Sequence, residues 1–202
     1  MTKIPVFDIG DTLFPTVKIY RQAVAQEVGE DCEVGNFNIF DPDSSEQYFE
    51  KKGIDVDGEK IRDAYIAKVE SYMYEQGVLE MLKKCSEEFG AIGIISDNWS
   101  YARKIYAEMF EDYGIEFEGM IVSEEVGVKK PDRKIFEAFL AEREKDAEKF
   151  VYFGNHGVRD PAAEKTGMDF VFTTEYFNFD TSYEGRKIPE LSFENVRKEV
   201  EK

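Results

Sequence analysis

From Val78 onward, short apolar runs alternate with helix-length amphipathic stretches. That alternation constrains the fold more than any other feature of the chain. Ala91–Ile95, Gly119–Val122, Phe150–Phe153 and Asp169–Phe172 are too short and too uniformly apolar for surface helices, and read as buried strands. Helical stretches separate them. One runs from Val78 to a stop at Gly90, another from Ser100 to Tyr113 with Ile105, Met109 and Phe110 inward. A third opens at Pro131 and carries Ile135, Phe136, Phe139 and Leu140 on one face. A short one runs from Pro161 to Thr166 and ends at Gly167. With Ile4–Phe7 as the first strand, this order predicts an α/β fold with a five-stranded parallel sheet covered on both faces.

Between the first strand and this alternation the sequence predicts a helical insert. Pro15 and Thr16 suit a helix start, and Val17, Tyr20, Val24 and Val28 follow as an apolar stripe. After a loop-like Gly29–Ser45, a second helix is expected from Ser44 or Ser45 to Gly53, with Tyr48 and Phe49. A third is expected from Asp57, with Ile61, Tyr65, Val69 and Met73 inward. Residues 15–77 would then be one unit, and residues 1–14 with 78–202 the sheet domain. The insert is rich in aromatics (Phe37, Phe40, Tyr48, Phe49, Tyr65, Tyr72 and Tyr74), most of which read as core packing. The stretch 176–185 reads as irregular, and Phe193, Val196 and Val200 mark a last helix.

Charge narrows the partners. At 202 residues the chain can bury one good core. Its net charge of −17 leaves no basic stripe, which argues against a nucleic-acid or anionic-membrane partner. Cys32 and Cys85 lack a CxxC spacing and read as reduced thiols. No apolar run reaches membrane-spanning length, and Met1-Thr2-Lys3 shows no signal-peptide pattern, so a cytoplasmic protein is expected.

The strand ends carry the chemistry. Asp8 and Thr12 follow the first strand, Ser96 the second, Asn155 and Asp160 the fourth, and Lys130 lies beyond the third. In open α/β sheets the ligand crevice lies at these carboxyl ends. A carboxylate nucleophile needs a cation beside it to hold an incoming phosphate, and a metal to offset the combined negative charge. Asp8, Asp160, Ser96 and Lys130 make up such a set. No Gly-rich phosphate loop is present, so a nucleotide-hydrolase reading has no support.

Four motifs in order resemble the haloacid dehalogenase-like (HAD) superfamily. They are Phe7-Asp8-Ile9-Gly10-Asp11-Thr12-Leu13, Ile94-Ile95-Ser96-Asp97-Asn98, Val128-Lys129-Lys130-Pro131-Asp132, and Phe153-Gly154-Asn155 through Asp160. The resemblance implies a Rossmann-like three-layer sandwich with residues 15–77 as a helical cap. It implies Mg²⁺-dependent hydrolysis of a small phosphorylated metabolite through an aspartyl phosphate. Asp8 would be nucleophile and metal ligand, joined at the metal by the Gly10 carbonyl, Asn155 and Asp160. Lys130, which directly precedes Pro131, would neutralise the phosphate. Thr12, Ser96 and Asp97 would bind the substrate or support its site.

Two departures bear on activity. Family phosphatases carry a general-acid Asp two residues after the nucleophile and then Gly, whereas this chain has Gly10 and then Asp11. A one-residue shift in extended chain turns a side chain to the other face. Whether Asp11 substitutes for the missing acid stays open. The second departure is Asn155 where a metal-binding Asp is usual, which keeps an oxygen ligand but removes a charge. Dehalogenase branches also show Asn near this point. A metal-independent dehalogenase-like hydrolase, with Arg21 as the nearest cap cation, is therefore one alternative. A non-catalytic binding protein is the other. His156, the only histidine, is a candidate base, and Trp99, the only tryptophan, a candidate pocket wall.

Overall fold

The computed structural model describes residues 2–29, 35, 37–176 and 180–202. Cys32 lies outside them, and Cys85 is a buried free thiol. The sheet is six-stranded and all-parallel: β1 Ile4–Phe7, β2 Ile92–Ser96, β3 Phe117–Val122, β4 Phe150–Gly154, β5 Asp169–Thr173 and β6 Lys187–Ile188. Their order is β3-β2-β1-β4-β5-β6. The helices are α1 Thr16–Val28, α2 Pro42–Glu50, α3 Gly58–Glu75, α4 Val78–Phe89, α5 Ser100–Asp112, α6 Ser123–Val126, α7 Lys134–Ala141 and α8 Phe193–Val200. The fold is a Rossmann-like α/β sandwich.

Every central strand is buried on both faces, and alternate residues feed two cores. Phe7, Ile92, Ile94, Val151, Phe153 and Val171 point to the side covered by α4, α5, α8 and the insert. Val6, Ile95, Phe150, Tyr152, Phe170 and Phe172 point to the side covered by α7. The chain builds outward through β2 and β3, then crosses back to place β4 on the other side of β1. The switch point therefore lies at the carboxyl ends of β1 and β4, where a crevice opens.

Several expectations shift in detail. The sixth strand is only two residues long, too short to show a pattern. It is held by the Phe172 N–H on the Arg186 carbonyl (2.9 Å) and the Thr174 N–H on the Ile188 carbonyl (3.1 Å). Pro131 does not open α7. It sits in a turn closed by the Asp132 N–H on the Lys129 carbonyl (2.9 Å), follows a cis peptide bond, and leaves the helix to start at Lys134. Residues 160–166 form a 3₁₀ helix. In α5 the buried face carries Ala102 and Tyr106 beside Met109 and Phe110, with Ile105 only partly covered.

In α1 the buried residues are Ile19, Ala23 and Val24, while Val17 is exposed. Val17 and Tyr20 instead border the cavity described below. The third helix holds as expected. Asp57 caps it by accepting the Lys60 N–H (3.1 Å), and Ile61, Tyr65, Val69 and Met73 are buried.

Gly93 in β2 shows how tightly α7 closes on the sheet. A Cβ there would lie 2.6 Å from the Phe139 ring and 3.0 Å from Val6. Gly93→Ala should therefore cost about 1–3 kcal/mol in urea unfolding, the usual range for overpacking. Adding Phe139→Leu to Gly93→Ala should recover part of that loss. Equal stabilities for wild type and Gly93→Ala would show that this contact is slack.

Candidate active site

Residues far apart in sequence meet at the switch point. Asp8 follows β1, and its N–H continues the sheet by donating to the Phe153 carbonyl (2.9 Å). One carboxylate oxygen accepts the Ile9 N–H (2.8 Å) and the other accepts Lys130 Nζ (2.7 Å). Lys130 Nζ also lies 2.9 Å from Asp160 Oδ1 and donates to the Tyr152 hydroxyl (2.9 Å). The Lys130 side chain is 1% exposed.

Burial works against its charge, but Asp160, Asp8 and Asp97 outweigh burial and hold the ammonium above its ordinary pKa. Burial pushes the Asp8 carboxyl up from its usual value. Lys130 pulls it down without fully offsetting burial and the nearby Asp160. Two buried carboxyl groups thus share one ammonium.

A cavity of about 530 Å³ opens above Asp8. Ser96, Asp97, Asn155, His156 and Arg159 line it from the strand-end loops, and Gly10 and Asp11 from the turn after β1. Thr12, Lys130 and Asp160 do not. The Thr12 hydroxyl donates to Asn155 Oδ1 (3.4 Å), which orients the amide. Asp160 is fully buried beneath Gly154, with one oxygen on Lys130 and the other accepting the His156 N–H (2.8 Å). Asp97 is on the wall, but both its oxygens are engaged, one by the Lys130 N–H (3.0 Å) and the other by the Arg159 guanidinium. His156 Nδ1 accepts the Val158 N–H (3.3 Å), and burial with nearby Arg159 pushes its pKa down, which favours the neutral ring.

The turn after β1 explains the Gly10-Asp11 order. Asp11 has φ +52°, a left-handed conformation that Asp tolerates better than most residues. The chain is therefore not extended there, and the face-flipping argument fails, because Asp11 borders the same cavity as Asp8. Its N–H donates to the Phe14 carbonyl (2.9 Å) and to Thr16 Oγ1 (3.1 Å). Thr16 Oγ1 would stand 2.9 Å from a Cβ at position 10, so the turn favours Gly there. Asp11 Oδ1 is buried without a hydrogen-bond partner. Burial raises its pKa to about 6, against the pull of the Thr16 and Val17 N–H groups.

Sequence reasoning missed two residues. Tyr152 steadies Lys130 and donates to the Ile95 carbonyl (3.1 Å). Its signal was a lone hydroxyl inside a Phe-rich buried strand, which must find a partner. Arg159 gave no signal beyond its place beside Asp160.

The donors fit magnesium in part. Among the described residues no group of three or more His, Cys, Asp or Glu could hold a metal. The cavity offers the Asp8 carboxylate with neutral oxygens at Gly10 and Asn155, while Asp160 is spent on Lys130. Magnesium is commonly bound by one or two carboxylates, substrate phosphate and retained waters.

A family profile described as "Haloacid dehalogenase-like hydrolase" matches residues 6–173. The chain belongs to this family. None of the curated proteins compared matches it. Among solved structures, YfnB from Bacillus subtilis, bound to magnesium, is 16% identical with a TM-score of 0.65. The match covers 100% of this chain and 99% of YfnB. CbbY from Rhodobacter sphaeroides, in complex with phosphate, is 15% identical with a TM-score of 0.60 over 96% of this chain and 95% of CbbY. A HAD phosphatase from Thermococcus onnurineus is 16% identical with a TM-score of 0.59 over 98% and 97%. At such identities the likeness speaks for the shared family fold.

The raised Asp11 pKa has a measurable consequence. A carboxyl whose folded pKa lies above its unfolded value destabilises the fold above about pH 6, and that penalty fades as pH falls toward 4. Asp11→Asn should therefore raise Tm in chelator more at pH 8 than at pH 4.5. An equal change at both pH values would mean that Asp11 titrates normally.

Proposed function

We propose that this protein is a magnesium-dependent phosphatase of small phosphorylated metabolites, working through an aspartyl phosphate on Asp8. The observation that carries this reading is the Asp8 carboxylate, fixed at the cavity floor by the buried Lys130 at 2.7 Å. Asp8 attacks phosphorus, the bond from phosphorus to the ester oxygen breaks, and the phosphoryl group resides on Asp8. Water then attacks phosphorus and releases Asp8 with inorganic phosphate. Lys130 offsets charge on Asp8 and the phosphate oxygens, and Ser96 donates a hydrogen bond to the phosphate. Arg159, held by Asp97, adds a second cation at the rim. Magnesium, held by Asp8, Gly10 and Asn155, would supply further charge neutralisation at phosphorus.

Asp11 borders the same cavity as Asp8, and in this reading it gives the proton to the leaving oxygen and later takes one from water. The helical insert 15–77 roofs the cavity and acts as the cap. That CbbY was solved with phosphate, and YfnB with magnesium, supports the reading.

The test is a turnover assay with and without magnesium. Asp8→Asn should abolish magnesium-dependent release of phosphate from para-nitrophenyl phosphate. Asp11→Asn should slow alkyl phosphates by about 10²–10⁴ and aryl phosphates far less, because a phenolate leaves without a proton. Turnover unchanged in Asp8→Asn would remove Asp8 as nucleophile. Full activity of wild type in chelator with a haloacid would favour the dehalogenase reading.

A further inference from the structure

The cavity's walls are unlike its floor. Seven of its lining residues are Phe, Tyr or Trp. Six of these, Phe14, Phe37, Phe40, Tyr65, Trp99 and Tyr106, cluster together, and Phe40 joins them through ring contacts with Tyr65 (5.5 Å), Trp99 (6.1 Å) and Tyr106 (6.4 Å). The tyrosine hydroxyls are already engaged. Tyr20 donates to the Gly35 carbonyl (3.0 Å), and Tyr65 and Tyr106 hydrogen-bond each other. The insert's polar side chains on the cavity are otherwise Thr16 and Arg21 among the described residues. The Thr16 hydroxyl already accepts the Asp11 N–H. Arg21 apart, the cavity's polar residues therefore come from the strand-end loops and the turn after β1, and the insert contributes mainly aromatic and aliphatic residues.

From this asymmetry we infer the substrate class: monophosphate esters whose alcohol carries an aromatic or similarly flat apolar group, in preference to sugar or polyol phosphates. The inference rests on the phosphatase reading and adds to it what the cap selects. A polyol would bring several hydroxyls against rings and spent tyrosines, where hydroxyls taken from water find few partners. A phenyl group would bury against those rings with edge and face contacts. Its transfer from water corresponds to about tenfold to a hundredfold in kcat/KM.

The test compares 2-phenylethyl phosphate, ethyl phosphate and glycerol 1-phosphate. All three are primary alkyl esters with similar demand for a proton, so leaving-group chemistry does not decide the ranking. The phenylethyl ester should have a kcat/KM at least tenfold above both others, and Trp99→Ala should narrow that gap. A glycerol ester turned over as well as the phenylethyl ester would overturn the inference while leaving the phosphatase standing.

If no ester turns over, the phosphatase reading fails, and binding still tests the subsite. Trp99 is the only tryptophan, so its fluorescence reports on this wall alone. Saturable quenching by 2-phenylethylphosphonate, at a concentration at least tenfold below that needed with ethylphosphonate, would uphold the aromatic subsite. An equal response to the two phosphonates would overturn it, and holds the test open even if Trp99→Ala does not fold.

Discussion

A single buried ammonium holds the site together. Lys130 reaches from the loop beyond β3 to Asp8 after β1 and Asp160 after β4, with the Tyr152 hydroxyl as a third partner. An ammonium in so dry a place is tolerable only because it is paired and hydrogen-bonded on several sides. Removing it would leave two carboxylates facing each other in the interior, a loss of the order of 3–5 kcal/mol for a buried pair broken on one side. The same geometry sets the chemistry. The ammonium, shared between the two carboxyl groups, keeps Asp8 oriented at the floor.

Around that anchor the backbone makes two compromises. Asp11 adopts a left-handed conformation, and the tight turn brings Thr16 against position 10. Glycine and aspartate have thus exchanged places relative to the usual family order, with the side chain at position 11 bordering the cavity. The insert then closes over the floor with aromatic side chains that complete the core on one side and the cavity wall on the other.

Much of the fold was legible because parallel sheets write themselves plainly. Buried strands such as β2 and β4 are continuous apolar runs, and α3 shows its stripe of Ile61, Tyr65, Val69 and Met73 without ambiguity. What escaped had physical reasons. β6 is too short for a period, and Pro131 serves a turn that sequence cannot distinguish from a helix start. Val17 and Tyr20 looked like core positions because a cavity-facing stripe and a core-facing stripe have the same spacing. At the site, Asp8, Lys130, Ser96, Asn155 and Asp160 do converge on one switch point. Thr12, Lys130 and Asp160 stand behind the cavity wall, since strand-end spacing tells which residues gather but not which way each side chain faces. The proximity of Asp11 to the cavity was invisible for the same reason, because it depends on one positive φ angle.

The proposed function turns on phosphorylation of Asp8 followed by attack of water on phosphorus. Single turnover in ¹⁸O-labelled water, acid-quenched and followed by mass spectrometry of the peptide containing Asp8, tests it directly. The expected result is a transient phosphoryl group on Asp8, label in the released phosphate, and none in the Asp8 carboxylate. Label appearing in the Asp8 carboxylate, with no phosphorylated peptide at any time, would contradict it and place attack at the carboxyl carbon instead.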